Sequence, residues 1–215
     1  MLFGTRKRLS TQSHEIKVKY KGQDIDLTKS YTYLGKKLDP SLTFSDNFDT
    51  AYKKASNRLR LLSKLREHLT STAATRIFQM MIVPIITYSG MVKLSLTKIQ
   101  LRKLDSIERR AREIIGNDVY IPHLDKLIKK KACVVVRKCL DKEICNNFQE
   151  YFEINEHNCG TRNNGIMLKC PKVKLEFARQ AFRFSAAKIY NELPMQIRAE
   201  KDNKIFRDML DSNFI

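Results

Sequence analysis

The sequence predicts a mainly α chain (α+β in broad class) with a small β element at its amino end, and two patterns carry that expectation. Apolar residues recur at three- and four-residue steps through two long stretches, as in helices that bury one stripe. From Glu15 to Tyr20 the pattern instead alternates strictly, with Ile16, Val18 and Tyr20 on one face and Lys17 and Lys19 on the other, as in a half-buried strand.

Gly22 supplies a turn after this strand, and Ile25 and Leu27 can return as its antiparallel partner. Ser30 to Gly35 is a further aromatic, β-prone stretch, and Pro40 closes the sheet region. Ser45 and Asp46 then offer a helix start with an acid in the first turn. Along the helix, Phe48, Tyr52, Ala55, Leu59, Leu62 and Leu69 form the inward stripe, while Lys53, Lys54, Arg58, Arg60, Lys64 and Arg66 fall largely off it. Thr70, Ser71 and Thr72 cap the next helix, which runs through Ile77, Phe78, Met81 and Ile82 until Pro84 bends or ends it; this segment is expected to be the most buried.

Thr97 opens a helix over 98–115 with Leu101, Leu104, Ile107, Ala111 and Ile114 inward and Gly116 as a left-handed stop. Arg102, Lys103, Arg109, Arg110 and Arg112 make it the second basic helix. A fourth helix is expected from His123 towards Phe148, against the β-branched run Val134 to Val136. Asn155 to Gly165 has loop composition, Phe177 to Tyr190 reads as an apolar helix closed by Leu193 and Pro194, and Phe206 to Leu210 suggests a short terminal one. Three segments follow: 1–40, 41–147 and 148–215.

Composition narrows the function classes. Lys and Arg number 41 against 23 acids, a formal charge of +18, with a pI near 9.8. Such an excess calls for a polyanionic partner, nucleic acid first and an acidic membrane surface second. The amino terminus has too few apolar residues for a signal-peptide core. The apolar run from Ile77 to Val92 is interrupted by Gln79, Pro84 and Thr87 to Ser89, so no membrane span is expected. Five cysteines, an odd number, read as reduced thiols.

The opening MLFGT, the segment YTYLGKKLDPSLTF and the later LTSTAATRIFQMMIVPIITYSG, LTKIQLRKLDSIERRAREIIG and TRNNGIMLKCPKVKLEFARQAFRFSAAKIYNELP resemble, in that order, the C-terminal region of reverse transcriptases of non-LTR, LINE-like retrotransposons. The resemblance covers nearly the whole chain. It implies that 1–40 is the end of a palm, 41–147 a helical thumb-like bundle and 148–215 a smaller helical appendage. It further implies that the clustered carboxylates holding the polymerase's magnesium lie upstream, so that this chain has no catalytic residue or metal site of its own and acts with a palm and fingers region outside it. The partners implied are RNA or an RNA–DNA hybrid and a DNA primer, with the intact protein in the nucleus.

Tyr33, Leu34 and Gly35 are similar to the family's primer grip: glycine permits close backbone approach and the ring can stack on a base or sugar. The other reading of Tyr33 is an ordinary core residue of a strand. Lys53, Lys54, Arg58, Arg102, Arg109 and Arg110 are the candidate contacts to a template–primer backbone, since cations that neutralise phosphates bind without reading sequence; a plain solvated face is the alternative. Asp24 and Asp26 share a strand face and read as turn-flanking acids, too few for an oxygen-ligand metal site. His157, Cys159 and Cys170 cluster loosely, but no Cys-x-x-Cys pair supports zinc, and Cys133, Cys139 and Cys145 do not align on one helical face. The four histidines are scattered, and neither a nucleophile elbow nor a glycine-rich phosphate loop occurs. Two rival expectations remain: a stand-alone RNA- or DNA-binding module derived from a retroelement, and a helical interaction protein whose charge serves solubility.

Overall fold

A computed structural model describes residues 1–12, 17–91, 94–144, 146–155, 166–174 and 176–214. The chain is mainly helical, with two small antiparallel hairpins near the amino end, and divides into two compact units, Met1–Ala51 and Tyr52–Ile215.

In the first unit, Met1 to Thr5 is irregular, tethered by the Gly4 amide donating to the Pro40 carbonyl at 3.0 Å, and α1 (Arg6–Gln12) follows where only sheet was expected. Strands β1 (Val18–Tyr20) and β2 (Gln23–Ile25) pair Val18 with Ile25; β3 (Tyr31–Tyr33) and β4 (Lys36–Leu38) pair Tyr31 with Leu38. Each hairpin turns on a Lys-Gly or Leu-Gly pair at positive φ, 50° and 81° for Lys21 and Gly22 and 48° and 72° for Leu34 and Gly35. Such turns match the right-handed strand twist. The alternation did not translate into a half-buried face, because Val18, Tyr20 and Ile25 all lie at the surface and a two-stranded ribbon has no second layer to cover them. Glu15 and Ile16, the start of the expected strand, lie outside the described residues.

From β4 the chain passes through a tight turn at Asp39 into α2 (Ser45–Leu65), within which the division between units falls. Asp39 holds this turn: its carboxylate accepts from the amides of Thr43 and Phe44 at 3.0 and 2.9 Å, while Leu42 and Phe44 sit at φ 49° and 54°. Burial opposes ionisation of Asp39, but these hydrogen bonds outweigh it and keep its carboxyl below the usual range.

The second unit is built around α6 (Leu124–Leu140), which packs against α4 (Val83–Gly90), α5 (Lys98–Ile115), α9 (Phe182–Asn191) and α11 (Asn203–Phe214). Leu124, Ile128, Ala132, Cys133 and Val136 form its buried stripe, so tertiary burial overrides the weak helix preference of the valine run. It ends at Leu140, well before Phe148; Lys142 turns the chain at φ 58°, and a separate short α7 (Asn146–Gln149) follows. Residues 166–214 share this unit, with Asn191 clasping Leu168 through both its amide and its carbonyl at 2.8 Å.

Pro84 neither ends nor sharply breaks its helix. Thr70 caps α3 (Ser71–Ile77), and the chain continues through a π-helical turn, Phe78–Ile82, directly into α4. A proline cannot donate and crowds the preceding turn, which widens to accommodate it. Only one side of this segment is buried, at Ala74, Phe78, Ile82 and Ile86, while Met80, Met81 and Tyr88 are exposed; the expectation of the most buried segment fails for that reason. The expected helix from Phe177 is split into α8 (Glu176–Arg179) and α9, α10 (Met195–Ala199) lies beyond Pro194, and α11 extends the terminal helix at both ends.

Candidate nucleic-acid interface

Charge is unevenly distributed along the chain. Residues 52–116 hold 14 basic and 4 acidic side chains, a net +10, against 18 and 13, a net +5, in the longer stretch 117–215. The first stretch contains the two helices whose basic faces were expected to matter.

Within the second unit, α2 and α5 run side by side in the same direction. Lys103 Nζ lies 5.5 Å over the Tyr52 ring near their starts, and just beyond the end of α2 the Arg66 guanidinium donates to the carbonyls of Ile114 and Ile115 at 2.9 and 3.1 Å. These ties are roughly 20 Å apart along the helices. Thr97 and Gln100 form a capping box at the start of α5, at 3.3 and 3.0 Å. Gly116 ends α5 at φ 128° and ψ 149°, an extended glycine conformation and not the left-handed one expected. Arg66 supplies the capping of the last carbonyls that such a turn would have provided.

The outer strip of α2 carries Lys53, Arg60 and Lys64, at i, i+7 and i+11 and so on one line of the helix. No carboxylate occurs between Asp49 and Glu67 to neutralise it. Lys53 and Lys54 are exposed and carry no ion pair among the described residues. Arg58 is displaced from the outer strip: its Nη1 donates at 2.7 Å to the Met81 carbonyl in the π turn, so part of its hydrogen-bonding capacity belongs to the fold.

On α5, Arg102 and Arg109 share the outer face with Asp105 and Glu113, and Arg109 Nε lies 3.9 Å from the Glu113 carboxylate. Arg110 stands on the flank beside Lys103, towards α2. Arg112 faces inward of that track, 3.7 Å from Glu108. Glu108, only 3% exposed, accepts from the Leu124 amide at 2.8 Å and lies 2.9 Å from His123 Nδ1. A carboxylate from one helix thereby caps the positive end of the next.

The equally basic α6 is different. Lys129 pairs with Asp125 at 3.3 Å, Lys130 with Asp211 and Arg137 with Asp141 at 2.7 Å, and Lys131 donates to the Thr87 hydroxyl at 2.8 Å. Its cations are largely spent within the molecule. Of the three long basic helices, α2 and, partly offset by acids, α5 are therefore the two that keep positive side chains outward. Arg60 and Lys64 belong to this surface and were absent from the candidate contacts; the repeat of Lys53 at i+7 and i+11 is the signal that finds them.

Tyr33, Leu34 and Gly35 occupy the tip of the β3–β4 hairpin. Tyr33 is 60% exposed, which removes the core reading of its ring. The hairpin is fastened below its tip, where Lys37 donates its amide to Asn47 Oδ1 at 2.8 Å and accepts from Asn47 Nδ2 at 2.6 Å.

Asp24 lies across β1–β2 from Lys19, 3.8 Å from its ammonium. Among the described residues no group of three or more His, Cys, Asp or Glu could hold a metal; His157, Cys159 and Cys145 lie outside them. Burial pushes the Cys133 thiol up to about 12 and raises that of Cys139 as well, so both behave as packed apolar groups. No helix among the described residues is long and apolar enough to cross a membrane. Comparison with known protein families, with curated proteins and with solved structures finds no match for the chain.

Proposed function

We propose that this chain binds the sugar-phosphate backbone of RNA, or of an RNA–DNA hybrid carrying a DNA primer, through the outward cations of α2 and α5. In this reading it is the thumb-side, C-terminal part of a non-LTR retrotransposon reverse transcriptase. It clamps the duplex while a palm region outside these residues, with its magnesium, performs RNA-directed DNA synthesis; Tyr33, Leu34 and Gly35 hold the primer end. The observation that carries the proposal is the carboxylate-free line Lys53, Arg60 and Lys64, within a stretch of net charge +10. The ordered resemblance to the retrotransposon enzymes supplies the enzyme class, and a reaction begun at a nicked chromosomal end places the intact protein in the nucleus.

Anisotropy of a labelled RNA–DNA hybrid titrated with the chain at several salt concentrations tests this. Five or six phosphate contacts give a slope of log affinity against log salt of roughly −4 to −5. Lys53→Gln, Arg60→Gln and Lys64→Gln together reduce the slope by about 3. An affinity independent of salt refutes the reading. A second reading, a helical interaction protein, draws on the exposed Leu61, Leu65, Met80 and Met81. Self-association that grows with concentration, without salt-sensitive binding of nucleic acid, favours it.

A further inference from the structure

Alternation along a strand normally buries its aromatic residues, yet in the first unit Tyr31 is 58% exposed, Tyr33 60% and Tyr20 65%. In the second hairpin the register places both rings on one face, and a two-stranded ribbon has no second layer to cover them. Cross-strand partners Tyr31 and Leu38, and Tyr33 and Lys36, share one face, whereas Thr32 and Lys37 share the other. Lys37 reaches the start of α2, its ammonium 3.0 Å from Asp46. Neither face is covered: Thr32 and Lys37 are exposed as well as the tyrosines, and only Lys36 and Leu38 beside the rings are half-buried. Residues 17–38 hold six lysines and two aspartates; Lys36 stands opposite Tyr33 on the same face and Lys21 Nζ lies 5.6 Å over the Tyr20 ring, while Lys19 and Lys37 pair with Asp24 and Asp46.

Exposed rings set among lysines meet the two needs of an unpaired nucleic-acid strand, stacking for its bases and countercharge for its phosphates. A duplex cannot use the rings, because both faces of each internal base are already covered by its neighbours. Spacing points the same way: Tyr31 and Tyr33 are two residues apart, about 6.8 Å along a strand, twice the ~3.4 Å step between nucleotides stacked in a helix. We propose that Tyr31 and Tyr33 stack splayed bases of a single strand, with the hairpin lysines on its phosphates and Tyr20 as an additional ring. This deepens the reading of the chain as a nucleic-acid binder, assigning unpaired nucleotides, the unpaired end of a primer strand among them, to the hairpins and paired duplex to the helices.

The test uses the full chain with three labelled probes at about 150 mM salt: a 12-nucleotide oligouridylate, the matching oligothymidylate, and a fully paired RNA–DNA hybrid without overhangs. Stacking predicts that Tyr31→Ala and Tyr33→Ala each weaken single-strand binding by roughly fivefold or more. The corresponding phenylalanine variants stay within about twofold of the unaltered chain, and hybrid affinity changes by less than about twofold throughout. Similar losses on both oligonucleotides mark stacking common to RNA and DNA, and a loss on one alone assigns the platform to that sugar. Unchanged single-strand affinity in the double alanine variant overturns the proposal, as does an equal loss on the hybrid. If the unaltered chain binds the hybrid but neither single strand, the platform is wrong and the helix reading stands; if it binds none of the three, both fall.

Discussion

Asn47 holds Lys37 by both faces of one peptide position, its Oδ1 accepting from the amide at 2.8 Å and its Nδ2 donating to the carbonyl at 2.6 Å. A side chain on the first turn of α2 thus substitutes for the neighbouring strand that β4 lacks. Asn47→Ala leaves both backbone groups without their partner and is expected to cost about 1–3 kcal/mol. Hydrogen exchange at the Lys37 amide, fast in the variant and protected in the parent, checks the outcome.

Gly90 meets α6 where a side chain cannot fit, because an added Cβ would stand 2.6 Å from Ile128 Cγ1. Gly90→Ala should destabilise the second unit by about 1–3 kcal/mol although alanine is the better helix former. Combining it with Ile128→Ala should cost less than the two changes summed, a coupling readable from chemical denaturation.

Arg66 and the outward cations should separate cleanly on mutation. Arg66 donates to four acceptors, the carbonyls of Ile114, Ile115 and Leu69 and the Ser71 hydroxyl. Arg66→Ala is expected to lose about 2–4 kcal/mol of stability. Lys53→Gln and Lys64→Gln should change stability by less than about 0.5 kcal/mol while each lowers the salt slope of hybrid binding by about 1. Thermal melting paired with the salt titration reads both.

Acid should open the Asp39 turn before neutral pH does anything to it. The carboxyl sits below its ordinary value of 3.8 in the folded chain, so its contribution is complete above about pH 4 and is lost as pH falls through the lowered folded value. In Asp39→Asn, stability of the first unit should be lower near neutrality and should fall less steeply below pH 4. A pH series of melting curves tests the slope.

Leu34 occupies a left-handed turn position that costs a branched residue about 1 kcal/mol. Leu34→Asn should stabilise the β3–β4 hairpin by roughly 0.5–1 kcal/mol, visible as slower amide exchange at Tyr33 and Lys36.

Periodicity alone located α2 and α5, and the Thr70 and Thr97 caps, because these depend on neighbours three or four residues away. It could not have found α1, whose polar sequence has no buried stripe, nor the end of α6 at Leu140, where Lys142 takes a left-handed conformation that no glycine announces. The charge imbalance and the two basic helices were likewise legible from composition and spacing. What each cation does was not. Arg66, Arg112 and Arg137 look on paper like Lys53 and Arg102, yet the first three are engaged by backbone carbonyls or carboxylates up to 64 residues away. Local sequence determines which face of a helix is apolar. Only the packing of one helix beside another decides which charges find partners and which stay outward, because those partners are distant in the chain and meet only when the core closes.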